Sequence, residues 1–204
     1  GHTLVWHQSL PSWVRRLEGE ALRTAMLEHV RAVAGHFRGR VYAWDVVNEA
    51  VADGSSGKLR TDSPFTALGP SFLDDAFRAA HEADPEALLF YNDYDAEAVG
   101  PKSDAVFELV RGMKARGVPI HGVGLQMHLD PRKLPSPEGI RANLVRLTAL
   151  GLNVSFTEID VPVGAIEGDE VQKLTAQRKL CRDYVALCFQ QDGCDGVTFW
   201  GIVD

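Results

Sequence analysis

Apolar residues recur along this chain in two alternating rhythms. Short runs rich in β-branched and aromatic residues fall at 2–7 (HTLVWH), 41–48 (VYAWDVVN), 87–92 (ALLFYN), 121–127 (HGVGLQM), 152–157 (LNVSFT) and 196–200 (GVTFW). Each is bounded by Gly, Pro or acidic residues, which predicts six strands. Between them, helical periodicity predicts five helices at about 20–38, 71–83, 102–116, 137–150 and 168–191. The first carries Leu22, Met26, Val30, Val33 and Phe37 at steps of three and four, an amphipathic stripe. Gly39, Gly117 and Gly151 directly follow three of the helices, as C-terminal caps do. Ser136 followed by Pro137 reads as an N-cap with proline at the first helical position.

Unbroken strand–helix alternation implies an α/β fold, a parallel sheet with helices on its faces. Six runs in 204 residues is about 34 residues per unit, against roughly 31 for an eight-unit barrel of about 250 residues. An open doubly wound sheet has the same local pattern. Two features decide between them. No G-x-G-x-x-G follows any strand, so the dinucleotide fingerprint is absent. Polar or aromatic residues also finish all six strands: Trp6-His7, Asn48-Glu49, Asn92-Asp93, Gln126 with His128, Glu158 with Asp160, and Trp200. An open sheet needs ligand chemistry only near its switch point, whereas in a barrel every strand end faces one site. The expectation is an incomplete (β/α)8 TIM barrel with about six of eight units, residues 1–204 forming one domain.

Composition narrows the function. At 45% hydrophobic residues the chain can bury a core, and its formal charge of −7 with no basic run argues against nucleic acid as partner. No stretch approaches the ~18 apolar residues of a membrane span. At the strand ends, amides (Asn48, Gln126), imidazoles (His2, His7, His128), indoles (Trp6, Trp200) and carboxylates (Glu49, Glu158) would converge. Indole faces stack on sugar rings, and amides and carboxylates bind hydroxyls. Two opposed Glu residues are what glycosidic cleavage needs, one to protonate the leaving oxygen and one to meet the oxocarbenium-like carbon. Taken singly, a strand-end Glu is more often a cap or solvated loop residue, and a lone Trp or His is more often structural. Only the joint arrangement points to chemistry.

The stretches GHTLVWH, DVVNEA, YNDYD, GVGLQMH, FTEIDV and GVTFWG resemble, in order and spacing, the strand signatures of glycoside hydrolase family 10, the endo-β-1,4-xylanases. The resemblance spans the whole chain and corresponds to barrel strands three to eight, so the first two strands and the closing helix are expected to lie outside it. Residues 1–204 alone would then leave two sheet edges open, and are expected to be unstable in isolation. The resemblance implies Glu49 as general acid/base and Glu158 as nucleophile of a retaining endo-1,4-β-xylanase. It implies Asn48 on the sugar 2-hydroxyl, with His2, Trp6, Gln126, His128 and Trp200 lining the same subsite. His128 is expected to hydrogen-bond the nucleophile with Asp160 behind it, and Tyr94 to stand near the catalytic centre. One departure is Trp6-His7-Gln8-Ser9, where the family commonly has W-H-S-Q or W-H-N-Q.

Further expectations follow from the family: no metal or cofactor, xylan or xylo-oligosaccharide as substrate, a monomer, and an extracellular setting. A cellulase on the same scaffold, a metal-dependent barrel enzyme and an inactive glycan-binding barrel are the competing readings; a matched acid pair is of no use to a binder. Cys181, Cys188 and Cys194 form no C-x-x-C pair. The residues alone allow two reduced, partly buried thiols at 188 and 194. The resemblance implies a Cys188–Cys194 disulfide, as in secreted members, with Cys181 free.

Overall fold

A computed structural model describes residues 1–54 and 57–201. Six strands, β1 (His2–Trp6), β2 (Ala43–Asn48), β3 (Leu88–Asp93), β4 (Gly122–Leu125), β5 (Asn153–Ile159) and β6 (Cys194–Phe199), form one sheet. All neighbouring pairs are parallel and follow sequence order. Five helices connect them: α1 (Gly19–His36), α2 (Ser71–Ala83), α3 (Pro101–Ala115), α4 (Pro137–Thr148) and α5 (Glu170–Phe189). This is a partial TIM barrel, six parallel strands of the curved sheet joined by five helices. Among the described residues β1 and β6 are its two edges. The concave side encloses a cavity of about 440 Å³ whose lining includes His2, Asp45, Phe90, Thr157 and Thr198.

The elements stop where the chain chemistry says they should. Gly39, Gly117 and Gly151 have φ near +70°, a left-handed conformation that ends a helix at little cost in glycine. The Ser136 hydroxyl accepts the Gly139 N–H at 3.0 Å, with Pro137 opening α4. The buried stripe of α1 is Leu22, Met26, Val30 and Ala34. It advances by fours, so Val33 and Phe37 are only half-buried against the core. Three short 3-10 turns, at Val14–Arg16, Pro64–Leu68 and Val163–Ala165, sit in the connections.

β3 shows how the sheet serves both faces. Leu89 and Tyr91 are fully buried, and Asp93 alternates with them on the helix side, where it meets Lys102 of α3 at 3.0 Å. Phe90 and Asn92 point to the concave side. There β4 has glycine twice, because a Cβ at Gly122 would strike the Phe90 ring at 2.3 Å and one at Gly124 would strike Asn92 Oδ1 at 2.3 Å. Glycine at 124 is therefore the space in which the Asn92 carboxamide lies. At the end of α5, Cys188 and Cys194 form a disulfide, and Cys181 is a free thiol.

Candidate active site

The carboxyl ends of the strands gather one polar cluster with the oxygen of Asn48 at its centre. Asn48 Oδ1 accepts from Asn92 Nδ2 at 2.8 Å and from Gln126 Nε2 at 3.3 Å. Each of those two amides also reaches a carboxylate. Gln126 Nε2 donates to Glu49 Oε1 at 3.0 Å, and Asn92 Nδ2 donates to Glu158 Oε1 at 2.8 Å. The two Glu residues, distant in sequence, are thus wired to one oxygen atom through two amides. With its Oδ1 filled by donors, Asn48 has its own NH2 group as the end left to meet a ligand.

Local irregularities aim these side chains. Glu49 follows β2 in the left-handed region at φ +56°, and its N–H donates to Asn92 O at 2.8 Å. Non-glycine residues seldom adopt this conformation, and it turns the carboxyl out of the strand's alternation. β5 shifts register between Phe156 and Ile159. The consecutive residues Thr157 and Glu158 can therefore both reach Asn92, the Thr157 hydroxyl donating to Asn92 Oδ1 at 2.6 Å. Met127, between Gln126 and His128, is also left-handed at φ +64°, and its N–H is held by the buried Glu97 carboxylate at 3.1 Å.

The two carboxylates have different surroundings. Glu49 Oε2 accepts the Trp6 indole N–H at 2.8 Å. Glu158 faces imidazoles: His128 Nε2 lies 3.4 Å from Oε2, and His2 Nδ1 lies 4.0 Å from Oε1. Burial on its own would raise the pKa of Glu158. The hydrogen bonds from His128 and Asn92, and the charges of His2 and His128, outweigh it and hold the pKa below the ordinary value. His128 is correspondingly pushed up to about 9, by Glu158 first, against its own burial, and then by Asp160, whose carboxylate lies 3.0 Å from Nδ1. His2 is also raised, chiefly by its hydrogen bond with Asp45 at 2.9 Å.

Of the residues singled out in the sequence, Glu49, Glu158, Asn48, Gln126, His128, Asp160, His2 and Trp6 are in this one network. Trp200 is 57% exposed and presents its ring edge-on to His2 and His128, with centroids 6.3 and 6.0 Å away. Two residues lie beside the network, both close enough to feel the charge of Glu49. The Tyr94 hydroxyl bonds Asp53 and Arg60, outside the amide–carboxylate cluster. His7 turns to the Gln8 amide at 3.4 Å, and burial lowers its pKa. Sequence reasoning counted Asn92 among the strand ends but gave it no role, and left Asp45 out of the site. Both had a signal, a polar side chain inside an otherwise apolar strand.

The whole chain, residues 1–204, matches the model of Glycosyl hydrolase family 10. The chain belongs to glycosyl hydrolase family 10. Endo-1,4-beta-xylanase B of Thermotoga neapolitana is 40% identical over all of this chain and 58% of its own length. Among solved structures, xylanase 10B from Thermotoga petrophila RKU-1 in complex with xylobiose superposes with a TM-score of 0.91 at 40% identity, over 99% of this chain and 61% of that one. An intracellular xylanase from Thermoanaerobacterium saccharolyticum JW/SL-YS485, a mutant bound to xylotriose, gives 0.86 at 32% identity, over 98% and 64%. The chain thus spans about 60% of the length of these family 10 relatives.

Proposed function

We propose that the protein is a retaining endo-1,4-β-xylanase that cleaves internal xylosidic bonds by double displacement. The observation that carries this reading is the shared amide hub, which holds two carboxylates together while giving each a different ring partner, the Trp6 indole for Glu49 and the His128 imidazole for Glu158. The relatives bound to xylobiose and xylotriose support xylan as the substrate class. Glu158, kept ionised by His128 and Asn92, attacks the anomeric carbon. Glu49, carrying the proton, passes it to the departing glycosidic oxygen. A covalent xylosyl-enzyme results if the carboxyls stand about 5–5.5 Å apart in the loaded enzyme. Glu49, now without its proton, takes one from a water whose oxygen attacks the anomeric carbon and displaces the Glu158 carboxylate, so the sugar leaves with its β configuration.

Asn48 offers its NH2 group to the sugar beside the scissile bond, and Trp6 and Trp200 supply ring faces. We further propose that the enzyme works outside the cell as a monomer, a setting in which the Cys188–Cys194 disulfide would persist.

The test uses the full polypeptide that carries this chain. The first-formed sugar, read by NMR, is expected to be the β anomer. Glu49→Ala should still react quickly with aryl β-xylobiosides that have good leaving groups and then stall until azide restarts turnover with a β-azide product. Glu158→Ala should lose the first step with every leaving group. An α anomer from the unmodified enzyme would overturn Glu158 as nucleophile. Greater activity on carboxymethyl-cellulose than on xylan would move the reading to a cellulase.

A further inference from the structure

Behind the cluster, on the helix side of β3, two successive backbone amides converge on one phenol. The N–H groups of Ala50 and Val51, immediately after Glu49, donate to Tyr91 Oη at 3.0 and 3.1 Å. The Tyr91 hydroxyl in turn donates to Asp93 Oδ2 at 2.5 Å. Both side chains are completely buried. A phenol has one proton and two lone pairs, so this oxygen is fully used. Asp93 takes the proton, and that turns both lone pairs toward the two amides. Asp93 is fixed from its other oxygen, which meets Lys102 Nζ and the Tyr94 N–H, each at 3.0 Å. Lys102 is itself buried and paired a second time, with Asp53 at 3.2 Å.

None of these side chains hydrogen-bonds the side chains of the amide hub; a link runs through the backbone, where the Gln126 N–H donates to Asp93 O at 3.0 Å. What they touch is the stretch of backbone that leaves Glu49, a residue in a sparsely populated conformation that persists only where its surroundings enforce it. On the other side, Glu49 is held by its own N–H on Asn92 O. The peptide on each side of Glu49 is therefore anchored to β3, one anchor on Asn92 and the other on Tyr91. We propose that Tyr91, oriented by Asp93 and Lys102, is a positioning residue of the reaction. It fixes the left-handed turn at Glu49, and with it the direction along which that carboxyl hands over its proton. This rests on Glu49 being the acid/base.

If Tyr91 only braced the fold, its loss would slow every substrate alike. If it aims Glu49, the loss must follow the need for a proton. Tyr91→Phe and Asp93→Asn are compared with the unmodified enzyme and Glu49→Ala, all as the full polypeptide carrying this chain. Pre-steady-state glycosylation is measured on aryl β-xylobiosides of graded leaving-group pKa. For Tyr91→Phe, rates with a dinitrophenol leaving group should stay within about threefold, while phenyl xylobioside and xylan fall by about 10²-fold in kcat with a much smaller change in KM. Asp93→Asn keeps the phenol but loses the charge that orients it, and should show a weaker trend of the same sign. It also carries the test if Tyr91→Phe does not fold. A loss independent of leaving group, or no loss, in the folded variants overturns the inference while leaving Glu49 in place, provided Glu49→Ala shows the dependence. If Glu49→Ala shows none, the acid/base reading fails, and this inference fails with it.

Discussion

Replacing His128 by Gln tests the electrostatic asymmetry between the two carboxylates. His128 lies 3.4 Å from Glu158 and has a pKa near 9, so at neutral pH it is a cation beside the proposed nucleophile. In the variant, burial of Glu158 would be opposed only by Asn92 and His2, and its pKa moves up. An opposite charge at this range shifts a carboxylate by about 1–3 units. The His128 side chain is 35% exposed, and water screens such a pair, so the lower end applies. One unit corresponds to about 1.4 kcal/mol.

The acid limb of kcat/KM marks ionisation of the nucleophile, so it should move to higher pH by about one unit. Far below the limb the variant is then about tenfold slower than the unmodified enzyme. The substrate should be an aryl β-xylobioside with a good leaving group, which needs no proton from Glu49. The position of the limb is the readout, since a lower plateau would report only lost sugar contacts. A limb that stays in place, or moves to lower pH, would refute the role given to His128. The same substitution bears on stability. The pKa of folded His128 is raised from 6.5 to about 9, so its contribution is whole below about 6.5 and fades as pH rises through 9. Melting temperatures should fall across that window less steeply in His128→Gln.

Three further outcomes are expected. Gly124→Ala would set a Cβ 2.3 Å from Asn92 Oδ1; such overpacking costs about 1–3 kcal/mol, and activity should fall further than the melting temperature accounts for, with unchanged activity counting against the amide hub. Glu97→Gln should gain stability relative to the parent at pH 8 but not at pH 4: burial raises the folded carboxyl from 4.5 to about 7, so the folded state binds the extra proton between those values and the parent loses stability as pH rises through them. Equal melting differences at both pH values would contradict this. Thiol titration of the denatured, unreduced protein should find Cys181 reactive and Cys188 and Cys194 closed, and reduction should cost less than the ~3 kcal/mol of a 15-residue loop; three reactive thiols would exclude the disulfide.

Strand and helix positions were legible in this sequence because period, glycine caps and the Ser136–Pro137 start all act locally. The stripe on α1 packs on the core throughout, with Val33 and Phe37 half-buried at its margin, and Ala34, too small to stand out, completing its buried line. Glu49, Glu158 and their amide partners stood out as polar residues where apolar strands end. The geometry joining them did not. Asn92 reaches Glu158 only because β5 shifts register, and Glu49 turns only because its φ is positive, neither of which leaves a periodic trace. The support behind the site was the least visible. Lys102 is the second residue of a helix, a place where a lysine is ordinarily solvated, and nothing in its neighbourhood signals a buried pair with Asp93.

The strands pair strictly in sequence order, and that has a kinetic consequence. Each pairing closes only the loop through its own helix, so the sheet can grow stepwise from any unit, each step carrying a modest entropic cost. The meeting of His2 with Glu158 and Trp200 is different, because it joins the two edges of the described sheet, β1 and β6. It can be made only after every intervening strand has docked and the sheet has curled, and contacts of such long range form slowly. The surroundings of Glu158 are therefore completed last in this sheet. During refolding of the full polypeptide that carries this chain, helical signal should recover first, and the delay before turnover appears measures how long the barrel takes to close.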